Sequence, residues 1–396
     1  MTGDPYAWAV PIRFLRAAAA CAAGLLTVVC AAVPAAGASV VPGWRITTVL
    51  RHCGDDSLSS VAAVGPGDAW AVGVPPWSDA SGCGEDVEHW NGKAWRRVPV
   101  PGDVFLGSSL TVPLAASSAG DAWIFPVKAT HIGVSYYAYN YALHWNGKAW
   151  RASQFPAKLI LESAADLGPG DVWAFGVTMP RADTTVPYAA RYNGRAWRQV
   201  KFPVAPMAVG TAGGGLWVIG PTTATADKDA SGQHIAAMFW NGRSWRSLAV
   251  PKVKVPAGQA TFDAISMTTS GPRDLWWSYD ADNEATRARS SGLLHWNGTA
   301  WHAVKLPPAI AGVEAMTPDG RGGTWLAAFT GLDMTQYWYH YHGGRWSRSL
   351  VLSPRGYGTM VFGMAWIPGT ASLWAVGEAD ADTGVHTVGV IAKYGA

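Results

Sequence analysis

Apolar and polar positions in this chain alternate in short runs, and each run is stopped by Gly, Pro, Asn or Asp. Ser57–Val64 and Ala69–Val74 read as two strands joined by the tight turn Gly65-Pro66-Gly67-Asp68. Val87–Trp90 and Trp95–Val100 read as two more, joined at the hairpin signal Asn91-Gly92 and ended by Pro99 and Pro101. Helix-length amphipathic stretches are absent. The pattern predicts antiparallel units of four strands and an all-β fold.

The pattern repeats. A first phrase places a Gly-rich turn before a Trp, at Trp70, Trp123, Trp173, Trp217, Trp276, Trp325 and Trp374, spaced 44 to 59 residues apart. Periods of this size mark arrays, solenoids or propellers. A second phrase follows: HWNGKAWR at 89–96 and again at 144–151, RYNGRAWR at 191–198, FWNGRSWR at 239–246 and HWNGTAWH at 295–302. The sixth copy, HYHGGRW at 340–346, has Ser347 where the others carry a basic residue after the Trp, and the seventh stops at Lys393-Tyr394-Gly395-Ala396. Its missing end stands near the other terminus, at Pro42-Gly43-Trp44-Arg45-Ile46-Thr47-Thr48-Val49. A linear array has no reason to split one unit between its termini. A ring does, because pairing the first strand with the last removes two exposed edges. The expected architecture is a seven-bladed β-propeller over residues 43–396, its last blade closed by the N-terminal strand.

The period near 50, the Gly-rich turn and the paired Trp positions resemble kelch-like propellers of the galactose-oxidase type, in exported bacterial form. No Trp-Asp ends the third strand, as it would in WD40 repeats. Only Thr317-Pro318-Asp319-Gly320 followed by Thr324-Trp325 comes near the sialidase phrase. Galactose oxidase uses copper and a Cys–Tyr cross-link, but neither Cys53 nor Cys83 falls on an inner strand, so that chemistry is not implied and no cofactor is expected.

Arg13 and Arg16 precede an apolar run from Ala17 to Val33, and a small-residue cleavage site ends at Ala38. Residues 1–38 therefore read as a secretory signal peptide, the alternative being an uncleaved membrane anchor. A secreted chain retaining Cys53 and Cys83 implies one disulfide between them. Charged residues are only 14%, against about 25% in an average chain. A net charge of +3 argues against nucleic-acid binding. Trp, at 23 against 10 Phe, is expected to fill the gaps between blades. The Trp-Arg pairs at 44–45, 95–96, 150–151, 197–198 and 245–246 place Arg on a solvated outer edge.

In such a fold the turns after strands one and three share one face, and the connections after strands two and four share the other. The second face carries the dissimilar loops, where binding groups are usually placed. Its aromatic residues, Trp77, Tyr136, Tyr137, Tyr139, Tyr337 and Trp338, are the candidate ligand contacts, with a glycan, peptide or surface polymer as the expected partner of a monomer. Enzymatic signals are weaker: no nucleophile elbow, phosphate loop or Cys cluster occurs. Glu162 and Glu314, each eleven residues before its unit's Trp, are the carboxylates that would divide acid and base roles in a glycoside hydrolase or lyase at the channel mouth. The acidic stretches Asp280–Glu284 and Glu378–Asp382 lack a complete calcium loop and read as solvated. His89, His144 and His295 belong to the repeat and read as structural. His340 and His342 lack an evident third ligand, so no metal site is expected. Asp68, Asp121, Asp171 and Asp274, two residues before their Trp, read as turn hydrogen-bonding groups.

Overall fold

A computed structural model describes residues 43–395 apart from segments 53–55, 75–86, 102–111, 126–138, 182–183, 213–214, 224–229, 231, 259, 332–334, 355–357 and 382–385. The expected signal peptide and the Cys53–Cys83 pair lie outside these residues. The described residues form β-strands and turns, with no helix.

The strands make seven antiparallel four-stranded blades. Blade one runs outward through Ser57–Gly65, Asp68–Val74, Val87–Trp90 and Trp95–Arg97. Its outer strand is shorter than expected, since Pro99 cannot donate to the ladder. Blades two and three share one long strand, Trp150–Asp166. Its first part pairs with Tyr139–Trp145 of blade two, and its last part with Val172–Arg181 of blade three. Blade seven has Thr359–Trp366, Leu373–Asp380 and Thr387–Tyr394, and its fourth strand is Trp44–Leu50. There Trp44 pairs with Tyr394 and Leu50 with Gly389. The seven inner strands neighbour one another in a closed cycle, blade seven meeting blade one.

The tryptophans hold the blades together, as the repeat implies. The second-strand Trp of each blade shares a hydrophobic cluster with the outer-strand Trp of the next: Trp70 with Trp150, Trp123 with Trp197, Trp173 with Trp245, Trp217 with Trp301, Trp276 with Trp346, Trp325 with Trp44, and Trp374 with Trp95. The last pair, 5.1 Å apart and edge to face, closes the ring. A buried Trp removes about 200 Å² from water, worth about 5 kcal/mol by area. The partner Arg residues, Arg45, Arg96, Arg151, Arg198 and Arg246, are exposed.

A second repeated contact runs within each blade. The same register sets Trp70 opposite His89, Trp123 opposite His144, Trp173 opposite Arg191, Trp217 opposite Phe239, Trp276 opposite His295, Trp325 opposite His340 and Trp374 opposite Lys393. The histidines stack flat on their Trp at 3.9–4.2 Å. The repeated Asp does accept across the turn in two blades, Asp121 from Ser117 and Asp274 from Ser270, but it has a further role. Asp68, Asp121 and Asp274 reach across to His89, His144 and His295 at 2.7–2.8 Å, and Asp171 accepts from Arg191 at 2.7 Å. They tie strand two to strand three.

The turns on the short-turn face are capped differently. In blades one to five, a four-residue loop is closed by its Asn, whose Oδ1 accepts two backbone N–H groups; in blade one Asn91 accepts from Lys93 and Ala94. Trp90 Nε1 donates to Pro66 O, which pins this loop against the turn after strand one. Gly73, Gly220 and Gly377 are required by close approach: a Cβ on each would stand within 2.0 Å of a carbonyl oxygen of the chain alongside.

Candidate functional site

The centre of the ring is a channel bordered by all seven inner strands. At its short-turn end lies a cavity of about 480 Å³, lined mainly by small side chains such as Ala62, Ala115, Ala164, Gly210 and Thr268. Small residues are what converging strands leave room for. Asp166 is the carboxylate in this lining. Burial first, and then the negative charge of Asp121, raises its carboxyl to about 7, against the hydrogen bond it accepts from Gly168 N. Asp121 moves the other way: burial works to raise it, but His144, Ser117 and Trp123 donate to it and hold it below the ordinary value. Sequence reasoning missed Asp166. Its signal was a second Asp on the blade-three turn, Asp166-Leu167-Gly168-Pro169-Gly170-Asp171, where other copies have at most one.

Glu162 and Glu314 lie further along the inner strands of blades three and six, towards the opposite end from this cavity. Both occupy β-bulges. Ser163 pairs with Phe175 and Leu161 with Gly176, so Glu162 is the extra residue; Val313 pairs with Ala328 and Ala315 with Ala327, so Glu314 is too. Blades one and seven carry the same bulge at Ser59 and Phe362. A bulge re-aims the side chain it carries. The two glutamates therefore occupy one structural position in two blades. Both touch solvent, yet the surrounding wall displaces enough water to push Glu162 up to about 7 and to raise Glu314 as well.

The aromatic candidates fare unevenly. Trp77, Tyr136 and Tyr137 lie outside the described residues, and of Tyr139 only the backbone is described, in strand Tyr139–Trp145. Tyr337 is half-buried beneath the guanidinium of Arg348. Trp338 corrects the expectation of an exposed ring: it is 1% exposed and stacks on Trp44 at 3.9 Å in the gap between blades six and seven. It points there because position 338, alternating with His340 on one strand, faces the neighbouring blade. The long-loop face is also less uniform than expected. Blade five closes strands two and three with a tight turn between Asn283 and Ala288.

The acidic stretch in blade five is used by the scaffold. Asp280 accepts from Val313 N, and Asn283 donates to Ala257 O and accepts from Thr286 N. Asp382 of the other stretch lies outside the described residues.

Blade six departs from the others. His340 and His342 do have a third partner, contrary to expectation. Asp319 Oδ2 lies 3.0 Å from His340 Nε2 and 2.8 Å from His342 Nδ1. Its Oδ1 accepts from the backbone N–H groups of Arg321 and Gly323. Burial works to raise this carboxyl, but these four donors outweigh it and hold it at about 2.

No protein-family model matches the sequence, and no curated protein matches it. Solved structures do, at low identity. A polysaccharide lyase, Uly1, is 9% identical with a TM-score of 0.55, over 85% of this chain and 89% of that one. A GH74 xyloglucanase from Xanthomonas campestris is 14% identical with a TM-score of 0.52, over 85% of this chain but 53% of its own. The β-propeller domain of the Trilobed protease from Pyrococcus furiosus, described as having an open velcro topology, is 10% identical with a TM-score of 0.51, over 83% of this chain and 91% of that one. At these identities the likeness shows the propeller fold. The seven blades stand; kinship with kelch proteins in particular has no family match behind it.

Proposed function

We propose that this chain is an exported binding propeller whose channel and dissimilar-loop face recognise an extracellular polymer, a glycan in the first instance. The observation that carries this reading is the pair of solvent-exposed glutamates at equivalent bulges of the inner strands, while the repeated Asp and His residues are committed to tying strands together. Carboxylates of this kind accept hydrogen bonds from sugar hydroxyls, and a ring of small side chains leaves the chain of a polymer room to enter. Export rests on the N-terminal segment, with cleavage after Ala38.

Glycan arrays probed with the purified protein test the reading. At least one polymer class is expected to bind, with affinity falling about tenfold or more in Glu162→Gln/Glu314→Gln, as loss of hydrogen bonds worth about 1.4 kcal/mol together implies. Binding indifferent to both changes, or no binding to any polymer, overturns it.

One observation favours a second reading, an extracellular glycoside hydrolase or lyase: a Glu162 carboxyl titrating at about 7 is suited to act as a general acid at neutral pH. Turnover of a bound polysaccharide, abolished by Glu162→Gln, would establish it. Glu162 also predicts a pH effect on stability. Its folded-state value lies above its ordinary value of 4.5, so the native state holds the extra proton between those limits. Stability should therefore fall as pH rises from 4.5 through 7, and Glu162→Gln should flatten that part of the profile in urea titrations. An unchanged slope would contradict the assignment.

A further inference from the structure

We infer that blade six carries a divalent transition-metal site formed by Asp319, His340 and His342. Their ligand atoms lie within 4.8 Å of one another. Two imidazole nitrogens and one carboxylate oxygen are a donor set for zinc and its first-row neighbours, with further positions left to water or a ligand.

The strongest support is the way blade six abandons the repeat. In blades one, two and five one His meets one Asp, and the scaffold needs no second His. In blades one to five the position of His342 is held by the turn-capping Asn, at 91, 146, 193, 241 and 297. Blade six needs no such cap. His342 pairs with Arg345, so the loop is only Gly343-Gly344, and both have positive φ, 56° and 80°. That is the backbone a two-residue hairpin of the primed type requires. The shortened turn frees position 342 for a side chain with another purpose.

The Asp has also moved. At the usual place, two residues before Trp325, stands Gly323. A Cβ there would lie 2.4 Å from Asp319 Oδ2 and 2.3 Å from Tyr341 O. Gly323 thus makes the room that Asp319 occupies, approaching from the preceding turn. Four departures, Asp319, Gly323, His342 and the two-glycine turn, combine to bring a second imidazole to one carboxylate oxygen.

The site is held firmly and is open on one side. His340 is stacked on Trp325 at 4.2 Å with an interplanar angle of 3°. The Asp319 side chain is 5% exposed and fixed by two backbone donors, and the His342 side chain is 48% exposed. A metal would enter from the His342 side and take the place of the two ring hydrogens now directed at Oδ2. Each imidazole then carries its proton on its other nitrogen, exchanged through water, so no net charge transfer within the protein is needed. Because Oδ1 is engaged by backbone, Asp319 would bind through Oδ2 alone.

The test is calorimetric titration of the untagged, chelator-stripped full chain with zinc chloride, with Co²⁺ visible absorption as a second probe of ligand geometry. One equivalent should bind. His342→Asn, which restores the residue of five other blades, should weaken binding by more than the roughly 10–100-fold typical of losing an outer-shell partner. His342→Gln serves if the Asn variant fails to fold. His144→Asn, which alters the one-His pair of blade two, should leave the affinity unchanged. No saturable binding, binding unaltered by the His342 changes, or equal loss in His144→Asn would each overturn the site.

Discussion

Replacing Trp374 with Ala is expected to destabilise the protein by about 3–5 kcal/mol, the range for truncating a large buried aromatic side chain. Trp374 has no solvent exposure. It meets Trp90 and Trp95 of blade one at 5.1 Å each and carries the Lys393 ammonium over its face at 5.3 Å. The resulting cavity would fall between blade seven and blade one, where no continuous inner strand joins neighbours as it does between blades two and three. Urea unfolding checks this: the midpoint should fall steeply, while Arg96→Ala on the exposed outer edge should stay within about 0.5 kcal/mol. Equal effects of the two substitutions would mean that the Trp gaps do not hold the ring.

Starting the chain at Gly54 is expected to do more damage still. This removes Trp44–Leu50 and its six paired positions on Thr387–Tyr394. At about 1 kcal/mol net for each ladder hydrogen bond, with about 3 kcal/mol more for Trp44, the loss rivals the roughly 5–15 kcal/mol that keeps a domain folded. It also uncovers Trp338, which Trp44 stacks upon, and bares the edge of the last strand. The shortened protein should elute as aggregate and lack a cooperative thermal transition. A monomer melting near the temperature of the intact protein would show that the first strand is dispensable.

Much of this architecture could be read from the residues alone, because it is written seven times. The split second phrase assigns Trp44 to blade seven from residue identity alone, and the spacing of the Trp phrases locates the gaps between blades. Local chemistry was less legible where it depends on register. Asp68 and His89 are 21 residues apart, and only the pairing of strands two and three brings them together. Asp319 was hidden for the same reason, since it reaches the usual Asp position from a different place in the chain. Trp338 misled in the other direction: a Trp outside the repeat suggested a free ring, yet it fills the gap closed by Trp44. Trp277, likewise outside the repeat, is fully buried. The bulges at Glu162 and Glu314 carry no residue signature of their own, and their equal distance from Trp173 and Trp325 was the trace they left.

Above all, the N-terminal strand closes the ring. Amide hydrogen exchange, followed residue by residue in the intact protein, tests it most directly. The closed ring predicts that the hydrogen-bonded amides of Trp44–Leu50 exchange as slowly as those of Leu373–Asp380 within the same blade. Exchange of Trp44–Leu50 at the rate of an unstructured peptide, with Leu373–Asp380 still protected, would contradict it.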